Sequence, residues 1–84
     1  MHGVGVVVAL TPSGTLTVRS HGPTVAPEGT PVADARGALQ GRVVRVFGPV
    51  ARPYLSVRPR RTPSPSEGAG LLGAELYPSD GDRR

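Results

Sequence analysis

Glycine and proline interrupt this sequence so often that only short apolar runs are left between them. The 84 residues include 12 glycines and 10 prolines. Within several of the runs, apolar and polar side chains alternate, as expected of half-buried strands. The clearest case is the pair formed by residues 4–10 and 15–19, which are separated by the turn residues at 11–14. This pattern predicts an antiparallel hairpin.

The rest of the chain supplies four more strand-like runs. Residues 40–47 and 54–58 are predicted to pair through the loop between them, a short strand is expected after Pro31, and residues 71–77 offer a last strand. That last strand has a use only if it closes the sheet, since an open sheet would leave bare edges. The sequence therefore predicts an all-β fold without an amphipathic helix: a small six-stranded β-barrel that is closed or partly closed.

We expect one domain over residues 1–78, because 84 residues are too few for two cores. Within it, residues 59–69 are rich in serine, proline and arginine and are expected to form a mobile loop. Residues 79–84 are expected to be a disordered tail. Three glycines in the predicted strands suit the tight coiling of a small barrel: Gly5, Gly41 and Gly73.

The basic residues are unevenly distributed along the chain. The formal net charge is +4, all ten basic residues are arginine, and seven of them fall within residues 36–61, which contain no acid. Such a positive zone fits an RNA-rich environment. A solvated basic face on a protein with a GC-rich coding bias explains the same arginines equally well.

The sequence contains no group of residues suited to catalysis or metal binding. The chain has no cysteine, its two histidines lie in the terminus and in a predicted loop, and its serines have no evident base beside them. We therefore expect neither an enzyme nor a bound cofactor or metal. The longest apolar run, residues 6–10, is far shorter than the roughly 20 residues that span a bilayer. Since the N-terminus also lacks the features of a secretory signal, a cytoplasmic protein without membrane contact is expected.

The loop between the two long strands is the strongest indication of a binding surface. Phe47 and Tyr54 stand at its ends, and the loop contains Gly48, Pro49 and Pro53. Because each proline fixes its own φ angle, the loop should be stiff and should lose little entropy when a partner docks. An exposed apolar tip of this kind is seldom left bare on a soluble monomer.

The same region resembles a known family. Phe47-Gly48-Pro49 is followed, after three intervening residues, by Pro53-Tyr54 within the β-rich stretch 41–57. This arrangement closely resembles the signature of the glycine-arginine-rich (GAR) subunit of H/ACA ribonucleoproteins in its archaeal form. The opening hairpin and residues 72–77 are similar to the same family, so the resemblance covers about the whole ordered chain. A related assembly factor of these particles shares the barrel, and the resemblance does not separate the two.

The resemblance implies a barrel of the reductase, isomerase and elongation-factor type. It implies a non-catalytic subunit that docks on the pseudouridine synthase subunit and modulates substrate loading and product release in rRNA pseudouridylation. Guide and target RNA would be engaged indirectly, and the barrel would be a monomer outside the complex. The expected docking residues are Val46, Phe47, Gly48, Pro49, Val50, Pro53 and Tyr54.

Two features depart from the family pattern. The family usually has an acidic residue where this chain has Arg45, so the charge is reversed on the docking strand. The Gly/Arg-rich tails of the eukaryotic members are also missing, so RNA binding through such tails is not expected.

An alternative function is a small basic barrel that binds RNA directly. Its candidate RNA contacts are Arg52, Arg58, Arg60 and Arg61. Contacts of these arginines with phosphates would make binding strongly salt-dependent. Apart from Tyr54, stacking aromatics are absent near them, so base-specific reading of RNA is not expected.

Overall fold

The short runs between the glycines and prolines form six β-strands in the computed structural model, which describes residues 3–23 and 25–79. In chain order the elements are β1 (Gly5–Leu10), β2 (Leu16–Arg19), β3 (Pro31–Asp34), β4 (Gln40–Phe47), β5 (Tyr54–Pro59), a short helix α1 (Pro65–Leu71) and β6 (Glu75–Pro78). The strands form a closed barrel in the order β1-β2-β5-β4-β3-β6, with β6 pairing antiparallel to both β1 and β3. The prediction of a six-stranded all-β barrel is confirmed.

The barrel interior is filled by aliphatic side chains from alternate positions of the strands. On β2 and β5, for example, Leu16 lies opposite Val57, and both side chains are fully buried. Among the described residues, the hydrophobic core cluster consists of Val7, Leu16, Val18, Val32, Leu39, Val43, Leu55, Val57 and Leu76. No aromatic ring belongs to this set. The interior of a small barrel is narrow, and Phe47, Tyr54 and Tyr77 are only half-buried.

Glycines allow two pairs of strands to approach closely. A Cβ on Gly5 would collide with the carbonyl oxygen of Arg19, and a Cβ on Gly41 would lie 2.6 Å from the carbonyl oxygen of Arg58. A side chain at either position would push the strands apart, as expected for glycines in a tightly coiled sheet. Gly73 differs from the prediction, because it lies in the turn between α1 and β6 with a φ of 86°.

The segment 59–69 is predicted to be a mobile loop, but residues 65–69 belong to the short helix α1. The backbone N–H of Glu67 donates to Ser64 Oγ at 3.2 Å, and the backbone N–H of Ser64 donates to Glu67 Oε1 at 2.8 Å. This capping box, with Pro65 in the first turn, starts the helix. The sequence already contains this capping-box spacing, a serine followed three residues later by a glutamate. It is easily overlooked because the segment has a low-complexity composition.

The capping contacts also affect the charge of Glu67. The backbone hydrogen bond from Ser64, followed by the nearby Arg61 guanidinium and the Ser64 hydroxyl, holds the pKa of Glu67 below its usual value. Because this pKa is lowered on folding, the contact stabilises the fold above the unfolded-state pKa. The contribution is lost as the pH falls through the folded-state pKa.

The chain after β6 is described only as far as Ser79. The backbone N–H of Ser79 donates to the carbonyl oxygen of Pro31 at 2.8 Å, so this first residue of the predicted tail is tied to β3. Residues 80–84 of that tail lie outside the described residues.

Replacing the helix cap should measurably destabilise the barrel. Ser64→Ala removes the hydroxyl that accepts from the Glu67 N–H, and we expect a loss of about 1 kcal/mol in the free energy of unfolding. Ser66→Ala deletes the same group two residues later, where it caps no backbone donor, and should change stability by less than about 0.5 kcal/mol. Urea denaturation followed by circular dichroism measures both. Equal losses in the two variants would contradict the assigned cap.

Candidate functional site

A β-bulge in β4 decides which side chains the β4–β5 hairpin turns outward. Val43 pairs with Val57 on β5 and Arg45 pairs with the adjacent Ser56, so Val44 is an extra residue without a partner on β5. Because strand residues alternate between the two faces, one extra residue reverses the facing of everything after it. Arg45 and Phe47 therefore lie on the outer face of the barrel, where a regular strand would have turned them inward.

An aromatic pair joins the two strands at the base of the loop. Phe47 and Tyr54 are cross-strand partners whose ring centroids lie 5.7 Å apart, with 26° between the ring planes. The guanidinium carbon of Arg45 lies 5.0 Å from the Phe47 centroid, which is cation–π geometry. Both rings are half-buried. This stack fixes the spacing of the strands directly below the loop.

Beyond the aromatic pair, the loop stands out into solvent. We call residues 48–52 the hairpin tip; all five are exposed, and Val50 is 88% exposed. Gly48 has a φ of 93°, and a Cβ there would lie 2.9 Å from Cδ2 of Tyr54. Glycine is therefore required at this position both for the turn and for room beside the ring. The tip presents Pro49 and Val50 as an apolar surface on a constrained backbone.

Pro53 departs from the expectation, because it is buried instead of exposed at the tip. Pro53 lies two and four residues before Leu55 and Val57, whose side chains are buried in the barrel. Because alternate residues of a strand share one face, the same alternation turns Pro53 inward. Val46 also packs partly buried against the core. These two predicted docking residues support the tip from below.

A buried serine holds the base of the tip in place. Ser20, which is 2% exposed, donates its hydroxyl to the carbonyl oxygen of Pro53 at 2.7 Å. The backbone N–H of Ser20 donates to the same oxygen at 3.1 Å. Because Ser20 directly follows β2, these bonds tie the hairpin to the neighbouring strand.

The four arginines predicted as RNA contacts do not form one cluster. Arg52 is at the hairpin tip, and Arg58 is exposed near the far end of β5. Arg60 and Arg61 follow β5 at the end of the barrel opposite the tip, where Arg61 Nη1 lies 3.7 Å from Oε1 of Glu67. Folding therefore separates Arg52 from the other three predicted contacts, which lie toward the opposite end of the barrel.

Two arginines that the sequence did not identify as binding residues lie on the outer face of β2, β5 and β4. The registers place Arg19 opposite Tyr54 and Arg45 opposite Ser56. A signal for this arrangement is present in the sequence: Arg42 and Arg45 are three residues apart, so both can be exposed on one face of a strand only across a bulge. Both are exposed.

Acids and arginines occupy different parts of the barrel wall. Strands β1, β2, β4 and β5 contain no aspartate or glutamate. The described acids lie on β3, β6 and α1 or in the loop before β3: Glu28, Asp34, Glu67 and Glu75. One of them pairs with a histidine, since His21 Nε2 lies 2.6 Å from Glu75 Oε2. The β2-β5-β4 side of the barrel is therefore cationic.

The described part of the chain contains neither a cluster of potential metal ligands nor a helix that could cross a membrane. Among residues 3–23 and 25–79, no three His, Cys, Asp or Glu side chains come together as metal ligands would. In the same residues, no helix has both the length and the apolar character that crossing a membrane requires.

Comparisons with known proteins identify an archaeal protein to which part of this chain is similar. No protein-family model matches the chain. A Methanothermobacter thermautotrophicus protein, described as uncharacterized, is 37% identical over 49 residues, which are 58% of this chain and 53% of that protein. The chain thus spans about half the length of the curated relative that it matches.

Loosening the base of the hairpin tip should lower stability. Ser20→Ala removes the buried hydroxyl that donates to Pro53, and we expect a loss of about 1 kcal/mol in the free energy of unfolding. The backbone N–H of Ser20 still satisfies the carbonyl oxygen, so the loss should stay moderate. Ser56→Ala is the control, because the Ser56 side chain makes no hydrogen bond within the described residues. Chemical denaturation of both variants tests this, and an unchanged Ser20→Ala would refute the anchoring role.

Proposed function

We propose that this chain is a non-catalytic protein-binding barrel that docks through its hairpin tip on the pseudouridine synthase subunit of an H/ACA-type RNA-guided particle. The observation that carries the proposal is the exposed apolar tip, with Val50 88% exposed, on a base that is held from below. The resemblance of residues 41–57 to the GAR family suggests the partner, and the archaeal source of the relative accords with the archaeal form of that family.

The tip has the physical properties of a docking element. Full burial of a valine side chain against a partner contributes about 1.5–3 kcal/mol. The Phe47–Tyr54 stack and the Ser20 bonds already restrict the loop, so little further ordering entropy is lost on binding. Apolar side chains on a pre-formed backbone can therefore dock at a low entropic cost.

Docking would alter catalysis without supplying any chemical group. If the tip binds one conformation of a mobile substrate-handling element of the synthase better than another, it shifts the population toward that conformation. Coupling of this kind typically amounts to about 1–3 kcal/mol. Substrate loading and product release would change, while the chemistry stays with the synthase.

The related assembly factor would use the same docking surface. The two proteins differ in when they occupy the synthase, so a pulldown of the mature, active particle followed by mass spectrometry separates them. A mature-particle subunit is recovered with active enzyme, whereas an assembly factor is absent from it.

A charge placed at the tip should disrupt docking. Val50→Asp removes the apolar contact and brings a carboxylate into a desolvated interface, so we expect affinity for an archaeal pseudouridine synthase subunit to fall by at least about tenfold. Leu72→Asp is the matched control, because Leu72 is also exposed, at 52%, but lies at the end of α1, which packs near Leu10 at the other end of the barrel. Isothermal titration calorimetry measures both.

Two results would count against the proposal. The first is a wild-type barrel that fails to co-elute with the synthase subunit at micromolar concentration in gel filtration. The second is an equal loss of affinity in Val50→Asp and Leu72→Asp, which would place the contact elsewhere.

A further inference from the structure

We propose that the outer face of β2, β5 and β4 binds single-stranded RNA. We call this surface the outer arginine face and define it by Thr17, Arg19, Arg45, Ser56 and Arg58, with Tyr54 at its border. Arg42, opposite Arg58, also faces outward, but its guanidinium already donates to the carbonyl oxygen of Gly29, so it is not counted among the arginines of the face. The choice of RNA as the occupant rests on the proposed function, which places the barrel in an RNA-guided particle, but direct binding goes beyond the indirect engagement of RNA that the family resemblance implies. The cationic surface itself is independent of that function.

Strand register brings the arginines of this face together from three separate strands. On β2 and β5, Arg19 is opposite Tyr54 and Thr17 is opposite Ser56. On β4, Arg45 is the other neighbour of Ser56. From ordinary strand spacings, the three arginines of the face stand on the order of 8–14 Å apart at their Cα atoms. That span suits a short stretch of extended backbone better than a single small anion.

The three arginines are exposed and carry uncompensated charge. Within residues 3–23 and 25–79, Arg19, Arg45 and Arg58 form no ion pair with a carboxylate. The strands that carry them contain no acid, and the described acids lie elsewhere on the barrel. A surface of one charge sign attracts a polyanion and speeds its association. Charge complementarity therefore favours a phosphate backbone.

The aromatic border favours a nucleic acid over an acidic peptide. Phe47 and Tyr54 form a partly exposed stack next to the Arg45 guanidinium, and bases stack on both kinds of plane. The hydroxyls of Thr17 and Ser56 lie between the arginines, and neither makes a hydrogen bond within the described residues. They are available to ribose hydroxyls or phosphate oxygens. An acidic peptide would use the charges but not the rings.

The test is fluorescence anisotropy of the isolated barrel with a labelled 12-nucleotide oligouridylate. If the strand contacts three arginines, wild-type affinity should fall about 20-fold between 50 and 200 mM salt. Arg19→Gln with Arg45→Gln should weaken binding roughly tenfold at 50 mM salt and flatten the salt dependence. The matched control, Arg60→Gln with Arg61→Gln, removes the same charge from the two residues that follow β5, outside the face, and should change affinity less than about threefold. Circular dichroism checks that each variant is folded.

Further probes decide the identity of the occupant. Binding of oligouridylate more tightly than its deoxy analogue or a 12-residue polyglutamate supports RNA. Equal or tighter binding of either competitor overturns the proposal, as does an absence of RNA binding at 50 mM salt or an equal effect of the two double variants.

Failure of this inference can be told apart from failure of the docking proposal, because the synthase is absent from the assay. The Val50→Asp variant should keep wild-type affinity for the oligouridylate, since Val50 lies outside the face. Loss of RNA binding in that variant would contradict the separation of the two surfaces. RNA binding without synthase binding would refute the docking function alone.

Discussion

The extra residue that β4 carries at Val44 determines what this barrel presents to its surroundings. A strand with unbroken alternation would turn the guanidinium of Arg45 toward an aliphatic interior, and an unpaired buried charge costs several kcal/mol. The bulge disturbs one step of the ladder with β5 and turns Arg45 outward together with Phe47. The aromatic pair at the base of the tip and the place of Arg45 on the outer arginine face both follow from this single irregularity.

The two proposed surfaces depend on different properties of the same hairpin. The tip relies on mechanical support: the Phe47–Tyr54 stack joins its strands, and Ser20 fastens its base to the neighbouring strand. The outer arginine face relies on the separation of charge around the barrel wall, because the acids lie on other elements. Since none of the core side chains in residues 3–23 and 25–79 is aromatic, the rings can serve at the boundary between the two surfaces.

Much of the fold could be predicted from local sequence patterns. Which residues come together at the site could not, because that depends on the register between the strands. Alternation in the short runs gave the strands, and the need to cover sheet edges gave closure by β6. Pro53 is buried because it shares the inward face with Leu55, two residues later. The sequence does not show this, because nothing in it indicates that the alternation of β5 continues into the loop. Arg19 and Arg45 are 26 positions apart in the sequence, so no local pattern brings them to one face. Helix α1 had a local signal, the spacing of Ser64 and Glu67, which low-complexity composition obscured.

The central claim, that the hairpin tip is the protein-docking surface, is tested most directly by mapping the contact residue by residue. Unlabelled archaeal pseudouridine synthase subunit is titrated into the ¹⁵N-labelled barrel, and amide resonances are followed by NMR. The account predicts that the largest shifts or line broadening fall on the tip amides, such as those of Gly48, Val50 and Arg52, while amides of α1 and β3 stay unchanged. Perturbations confined to α1 and β3, or none at saturating synthase, would contradict it.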